Sequence, residues 1–345
     1  MEQFEIFSRP SKFYKKMLDD ILDARKFIYL ETYIYGKDKV GKKFREALIK
    51  KALEGVKVRV LIDAWGAKVD KKYFDKLEKA GGEVRFFREF KYVVRIISKN
   101  HERNHRKLLL IDGRISYVGS ANITAECLNW RELVMRMEGD ITPHFVFSFV
   151  QNWNSSGNLN KKRIRRLVHR GFEIIQDIPS EIYRITERKY IRLVNNAKKE
   201  IFIETPYFIP SRGIRKAFAK AVKRGIKIIV IVPSNSNVSF VGLIRNRYLG
   251  EMFRAGVDIY YYKPSNLHSK LLIIDNNFFM LGSSNLDYRS FRHQFEINLI
   301  GRDRRIIRNL RNYFYETLNG SEFFQYDKWK ERSSLSKISE LFFLL

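Results

Sequence analysis

Strand-like and helix-like patterns of apolar residues alternate along this chain, and they do so twice. Residues 26–35, KFIYLETYIY, and 199–210, KEIFIETPYFIP, are apolar, β-rich runs that share an Ile-(Tyr/Phe)-(Leu/Ile)-Glu-Thr core. Each reads as a buried strand. Helical periodicity follows in 44–63, FREALIKKALEGVKVRVLID, and again in 214–233, IRKAFAKAVKRGIKIIVIVP. In both, the periodic helix stops at a glycine placed as a C-terminal cap, Gly55 or Gly225, and a Val/Ile-rich strand begins. A third pair, DKLEKAGGEVRFF (75–87) and GEMFRAGVDIYYY (250–262), repeats the order helix, glycine turn, strand.

This duplication predicts an α/β fold of two similar halves, each a largely parallel sheet with helices packed on it. Right-handed crossovers would bring the loops at the strand C-terminal ends to one common edge. The halves differ most at 88–104, where the first carries the long insert REFKYVVRIISKNHERN. The stretch from about 155 to 180 has no counterpart. It opens with Asn154-Ser155-Ser156-Gly157 and carries the basic run Lys161-Lys162-Arg163-Ile164-Arg165-Arg166. It reads as the connection, so the domains are expected at 1–160 and 161–345.

With 345 residues, 45% of them hydrophobic, the chain can bury two ordinary cores. Charge changes the picture more. Lys plus Arg number 66 against 38 Asp plus Glu, a formal net charge of +28. Such a chain is drawn to polyanions: an anionic membrane surface, phosphorylated substrates or nucleic acid. The single cysteine, Cys127, excludes an intrachain disulfide and argues against a Cys-based zinc site. No run reaches the roughly 18 apolar residues of a membrane span, and the N-terminus lacks a signal-peptide pattern. The expected setting is therefore the cytoplasmic side, with any membrane contact peripheral.

The chemistry sits in a matched pair of segments, NHRKLLLIDGRISYVGSANIT and LHSKLLIIDNNFFMLGSSNLD. His105, Lys107, Asp112, Gly119, Ser120 and Asn122 recur as His268, Lys270, Asp275, Gly282, Ser283 and Asn285, each displaced by 163 (268 − 105, and so on). In extended backbone, His-x-Lys puts both side chains on one face. The glycine would let backbone approach a ligand closely, with Ser120, Asn122, Ser283 and Asn285 as phosphate-binding candidates. Two lysines facing one phosphate would neutralise it without a metal. One histidine could attack phosphorus while the other protonates the leaving oxygen. Glu132 and Glu296 fall 27 and 28 residues after the two histidines and are the candidates for fixing their tautomers (132 − 105 and 296 − 268). Asp112 and Asp275 each end an apolar strand before a turn, so a turn-capping role stands beside a catalytic one.

These residues resemble the paired H-x-K-x4-D motifs of the phospholipase D superfamily over roughly residues 10–330. Closer in, Arg103-Asn104-His105-Arg106-Lys107, Trp130-Arg131-Glu132, Glu204-Thr205-Pro206-Tyr207-Phe208, Ser284-Asn285-Leu286-Asp287-Tyr288-Arg289-Ser290 and Phe295-Glu296 are similar to bacterial cardiolipin synthases of that type, in the short form that starts directly at the catalytic region. The resemblance implies a pseudo-twofold pair of α/β domains with mixed central sheets flanked by helices, and an active site at their interface. It implies a phosphohistidine intermediate, no cofactor, His105 as nucleophile and His268 as general acid and later base. The implied reaction condenses phosphatidylglycerol, or a related donor and acceptor, into cardiolipin. Hydrolysis of phospholipids, or of nucleic-acid phosphodiesters by the same His-Lys pairs, is the rival reading. The duplication already supplies both half-sites, so an oligomer is not required. The mixed apolar and basic insert Phe90–Lys99 and the C-terminal Leu341–Leu345 are expected either to touch lipid or to pack on the domain.

Overall fold

The computed structural model describes residues 2–87, 102–155, 165–180, 182–235 and 239–331. The insert Phe90–Lys99, the cations Lys161–Arg163 and the C-terminal Leu341–Leu345 lie outside the described residues.

The first half contains eight strands: β1 (Gln3–Phe7), β2 (Phe27–Thr32), β3 (Lys57–Asp63), β4 (Glu83–Phe87), β5 (Arg103–Asn104), β6 (Leu108–Ile111), β7 (Ile115–Gly119) and β8 (Val134–Glu138). Its helices are α1 (Pro10–Asp23), α2 (Lys39–Leu53), α3 (Asp75–Lys79) and α4 (Thr142–Ser155). The second half has β9 (Arg166–His169), β10 (Phe172–Asp177), β11 (Glu200–Glu204), β12 (Phe208–Ile209), β13 (Lys227–Pro233), β14 (Asp258–Tyr262), β15 (Leu271–Ile274), β16 (Phe278–Gly282), β17 (Leu286–Asp287), β18 (Gln294–Gly301) and β19 (Ser321–Phe323). Its helices are α5 (Ile185–Asn195), α6 (Arg212–Lys223), α7 (Ser239–Arg254), α8 (Tyr288–His293), α9 (Arg304–Asn319) and α10 (Tyr326–Lys330).

The first sheet runs β1-β8-β7-β6-β2-β3-β4 and the second contains β10-β18-β16-β15-β11-β13-β14 in the same order, extended by β9 at one edge and β19 at the other. Each sheet is mixed rather than largely parallel. Strands β2, β3 and β4 pair in parallel, as do β11, β13 and β14, because a helix crosses over between successive members. The motif hairpins β6–β7 and β15–β16 turn too tightly for a crossover and pair antiparallel. Gly55 and Gly225 end α2 and α6 with φ of 84° and 80°, the left-handed conformation that side chains disfavour. At the helix starts, Asp38 accepts from Val40 N and Gly41 N, and Asp303 from Arg305 N and Ile306 N. Such caps contribute about 1 kcal/mol each.

All four residues of β6 and of β15 are buried, because strand alternation gives each a core on both faces. Leu108 and Leu110 join Leu271 and Ile273 in a central core shared by the two halves. Leu109 and Ile111 face an outer core with α1 and α2, and Leu272 and Ile274 face the second outer core with α5 and α6. Phe145, Phe149 and Trp153 of α4 and Ile306, Ile307, Leu310 and Phe314 of α9 fill the central layer. The halves are therefore locked together by their inner faces, with corresponding strand ends on one edge.

Candidate active site

His105 and His268 each stand just before a motif strand, on that common edge, and are only 7% and 6% exposed. Short parallel pairing sets their positions. In β5, Arg103 pairs with Gln294 and Asn104 with Phe295, and His105 N donates to Phe295 O at 3.0 Å. In the other half Arg131 bridges Leu267, and His268 N donates to Arg131 O at 2.8 Å. Each motif segment thus docks on the strand that carries the other half's glutamate.

The carboxylates are accordingly exchanged between halves. Glu296 Oε1 lies 3.0 Å from His105 Nδ1, and Glu132 Oε1 lies 2.9 Å from His268 Nδ1. Both carboxylates are fully buried. The spacing of 27 and 28 residues suggested a carboxylate for each histidine, but it is the partner half that supplies it. An Nδ1–H donated to a carboxylate leaves Nε2 with its lone pair as the reactive nitrogen.

The lysines follow the expected face. Lys107 Nζ donates to His105 O and Lys270 Nζ to His268 O, each at 2.6 Å. Burial pushes Lys107 down to about 7 and Lys270 to about 8, against the opposing pull of Glu296 and Glu132. Both ammonium groups are therefore poised to gain from an arriving anion. A cavity of about 20 Å³, room for one water, lies behind each lysine.

The serines lie against the glutamates. Ser120 Oγ donates to Glu132 and Ser283 Oγ to Glu296, and each also accepts from a strand amide, Leu133 N or Ile297 N, at 2.9 Å. These hydroxyls hold the glutamates in place. The motif glycines serve the same packing. A Cβ on Gly119 would lie 2.2 Å from Leu133 O and one on Gly282 2.3 Å from Ile297 O, so the close approach is to the glutamate-bearing strand and not to a ligand. Asn122 Oδ1 accepts from Ile34 N at 3.1 Å, which anchors the loop after β2. Asn285 is buried with no partner for its Oδ1, so its phosphate-binding candidacy stays open.

Asp112 and Asp275 are not brought to the centre. They lie at the far ends of β6 and β15, roughly 15 Å along an extended strand from the lysines. Asp112 accepts from Arg25 N, Lys26 N and Phe27 N at 2.7–2.9 Å, and Asp275 from Lys198 N, Lys199 N and Glu200 N at 2.6–2.9 Å. Each clamps the start of the neighbouring strand, so of the two roles read from sequence the turn-capping one fits.

Two residues to which the sequence reading gave no role flank the imidazoles. The rings of Tyr33 and His105 meet edge to face at 5.2 Å, and those of Trp130 and His268 at 5.1 Å. Lys107 Nζ also lies 5.5 Å from the Tyr33 ring centre. The position of Tyr33 directly after the repeated Glu31-Thr32 was the available signal.

Electrostatically the half-sites differ. Burial first, then Lys107, Lys270 and His268, hold His105 well below the ordinary histidine range. Burial also lowers His268, to about 4, but there Glu132 acts in the opposite direction. Burial raises Glu296 to about 7 despite Lys107 and Ser283. At Glu132, burial is outweighed by His268, Lys270 and Ser120, and the carboxyl is held low.

A family model described as "Cardiolipin synthase, PLD-like domain" matches residues 17–153 and 190–318. The major cardiolipin synthase ClsA of Bacillus subtilis (strain 168) is 33% identical over 350 residues, covering 95% of this chain and 71% of that protein. A cardiolipin synthase of Clostridium perfringens (strain 13 / Type A) is 32% identical over 358 residues, covering 97% and 74%. Among solved structures, phosphatidylserine synthase from Haemophilus influenzae Rd KW20 superposes with a TM-score of 0.77 at 14% identity, covering 99% of this chain and 92% of that one. Polyphosphate kinase from Porphyromonas gingivalis gives 0.68 at 12% identity, covering 99% and 52%. These two likenesses are of fold.

Proposed function

Since the chain belongs to the cardiolipin synthase family of phospholipase D-like proteins, we propose that it transfers a phosphatidyl group from phosphatidylglycerol to the headgroup hydroxyl of a second phosphatidylglycerol. His105 Nε2 attacks phosphorus, and the P–O bond to the leaving glycerol breaks as His268 protonates that oxygen. The phosphatidyl group is then held on His105 through a P–N bond. His268, now neutral, takes the proton of the acceptor hydroxyl. The acceptor oxygen displaces His105, and cardiolipin leaves. The observation that carries this reading is the exchanged pair of His–Glu contacts, which sets two reactive Nε2 atoms and two lysines on one edge.

The order of the histidines rests on their carboxylates. Glu132 is held low, and an ionised partner supports the imidazolium that a general acid must be. Glu296 is raised, which leaves His105 the more readily neutral nucleophile. Lys107 and Lys270 would carry the phosphate charge through both steps. Each half, with a boundary near residue 160, would be a domain that contributes one histidine and the other's carboxylate. Among the described residues no helix is long and apolar enough to cross a membrane. Contact with the cytoplasmic face would then be made by the surface of the fold, helped by the +28 charge.

The test is a product assay with phosphatidylglycerol vesicles and excess chelator, the lipids resolved by mass. Cardiolipin with an equivalent of glycerol supports the proposal. Phosphatidic acid alone would make the chain a hydrolase. No lipid product, with cleavage of DNA or RNA in parallel, would replace it with a nuclease.

A further inference from the structure

We infer that the loops around the active-site edge form a rim that docks on an anionic phospholipid surface, with Trp65, Ile182, Tyr183 and Tyr288 entering the headgroup region. This inference rests on the phosphatidyl-transfer reading for its choice of partner, and its geometry stands separately.

Topology places all four on one edge. Trp65 follows the C-terminal end of β3, whose Asp63 accepts from Asn104 N, the residue before His105. Asp177 at the end of β10 stands opposite Glu296, so the loop that follows, with Ile182 and Tyr183, leaves from the same level. Tyr288 begins α8, three residues after the motif Asn285. These four are 60%, 66%, 56% and 49% exposed. Among the described residues the other exposed large hydrophobics are scattered on helix faces and edge strands, as on globular surfaces generally. A group of four around a reactive centre is a different arrangement.

The rim is connected and ordered. Ser180 N donates to Arg292 O at 2.9 Å, which joins the loop to α8. Ser180 Oγ accepts from Ile182 N and Tyr183 N, at 3.2 and 3.0 Å, and Arg188 donates to Ile182 O at 3.0 Å. These bonds tie Ile182 and Tyr183 to Ser180 and α5 while both apolar side chains are exposed. Cations interleave with the rings. The guanidinium of Arg165 lies 4.8 Å from the Tyr183 ring centre, while that of Arg103, buried beside Asp63, lies 4.9 Å from the Trp65 ring centre and supports that ring from within. Arg289 is exposed beside Tyr288, and its charge is felt at Tyr33 and His105. Aromatic rings with one polar end, an aliphatic tip and guanidinium groups suit the headgroup layer of an anionic bilayer. Docked this way, the edge would meet the donor phosphate with the acyl chains still in the bilayer.

The experiment uses the full chain with vesicles of phosphatidylglycerol and phosphatidylcholine, and in parallel a short-chain phosphatidylglycerol dispersed as monomers. Ile182→Asp and Tyr183→Asp lie on the surface and touch neither histidine. Each is expected to weaken vesicle binding about ten- to hundred-fold, the range for denying one large apolar side chain its burial, while turnover of the monomeric lipid is unchanged. Unchanged vesicle binding overturns the inference. Loss of vesicle binding in a protein whose wild type acts on neither lipid would sink the transfer reading and leave the rim standing. A second measurement does not depend on these variants. Vesicles brominated near the headgroup should quench tryptophan fluorescence in the wild type and do so markedly less in Trp65→Phe; equal quenching in both would overturn the placement of Trp65.

Discussion

His105 and His268 sit in half-sites of nearly the same geometry that differ in charge. Each imidazole has a glutamate, a serine behind that glutamate and a lysine two residues on. Yet Asp177 stands opposite Glu296 in the strand register and is raised by burial, and by Glu296 itself, to about 7. Asp287 is raised to about 6 by the same two causes. Continuing the register of the first sheet, where Phe7 pairs with Val134, the place of Asp177 falls to Arg9. Lysines pull on both glutamates, but at Glu296 burial prevails, and Glu296 in turn raises Asp177 and Asp287, whereas at Glu132 burial is outweighed by His268, Lys270 and Ser120. The difference shows how a duplicated motif divides labour. Strand geometry, which both copies inherit, places the reactive atoms. The residues around the motif decide which copy holds a proton.

The sharpest way to break this comparison is to remove each histidine. His105→Ala and His268→Ala should each lower turnover of phosphatidylglycerol by roughly 10³-fold or more, the scale for losing a nucleophile or its proton partner. A substrate with a good leaving group separates them. A phosphatidyl ester of a nitrophenol needs no acid for its first step, so His268→Ala should still release nitrophenol and accumulate a covalent phosphoprotein, and His105→Ala should do neither. A phosphoprotein formed only by His105→Ala would reverse the assignment.

The glutamates come next. Glu132→Gln should cost about 10²- to 10⁴-fold in kcat, the scale for replacing a triad carboxylate by its amide. Glu296→Gln should cost distinctly less, about tenfold, because a group already raised to about 7 is partly neutral near pH 7 and its oxygen can still accept from Nδ1–H. Steady-state kinetics at pH 7 decide it, and equal losses would mean that the two carboxylates do equal work.

Much of this was legible in the amino-acid order. The common displacement of His105, Lys107, Ser120 and Asn122 exposed the duplication and the candidate reacting groups, because strand and turn spacing is local and survives in one dimension. Glu132 and Glu296 were also visible as carboxylates near a histidine. Their exchange was not, since it depends on β5 docking against β18, a pairing between residues 191 positions apart at His105 and Glu296. The bonds from Ser120 and Ser283 to the glutamates were hidden for a related reason: spacing says that a hydroxyl lies near the motif, and only the neighbouring strand says that a glutamate reaches it. The parallel character of the sheets was overstated because helix-then-strand units dominate the pattern, while the motif hairpins contribute the antiparallel half in few residues.

The lysines add a pH dependence to the comparison. On the proposed mechanism each would bind the substrate phosphate as a cation, which is its form below its pKa. With Lys107 at about 7 and Lys270 at about 8 in the free protein, kcat/KM should fall by more than about tenfold as pH rises from 7 to 9. Lys107→Arg should retain part of the activity and move that limb to higher pH, because a guanidinium keeps its proton. A profile flat to pH 9 in the wild type would mean that both lysines stay charged without substrate.

The smallest effect on activity is expected at the residue that completes each motif. Asp112 accepts three backbone N–H groups and itself sits at φ 54°, a left-handed conformation that aspartate tolerates better than alanine. Asp112→Ala removes the clamp on β2 and strains the turn, which together should cost roughly 1–3 kcal/mol of stability. Asp112→Asn keeps an acceptor and tolerates the same φ, so it should recover part of that loss. Neither variant should change kcat by more than about twofold at 25 °C, since the carboxylate lies about 15 Å of strand away from Lys107. Thermal unfolding followed beside turnover separates the roles. A large fall in kcat with Tm unchanged would put Asp112 back into the chemistry, whereas a lowered Tm with intact turnover assigns the third motif residue to holding the strand that the other two stand on.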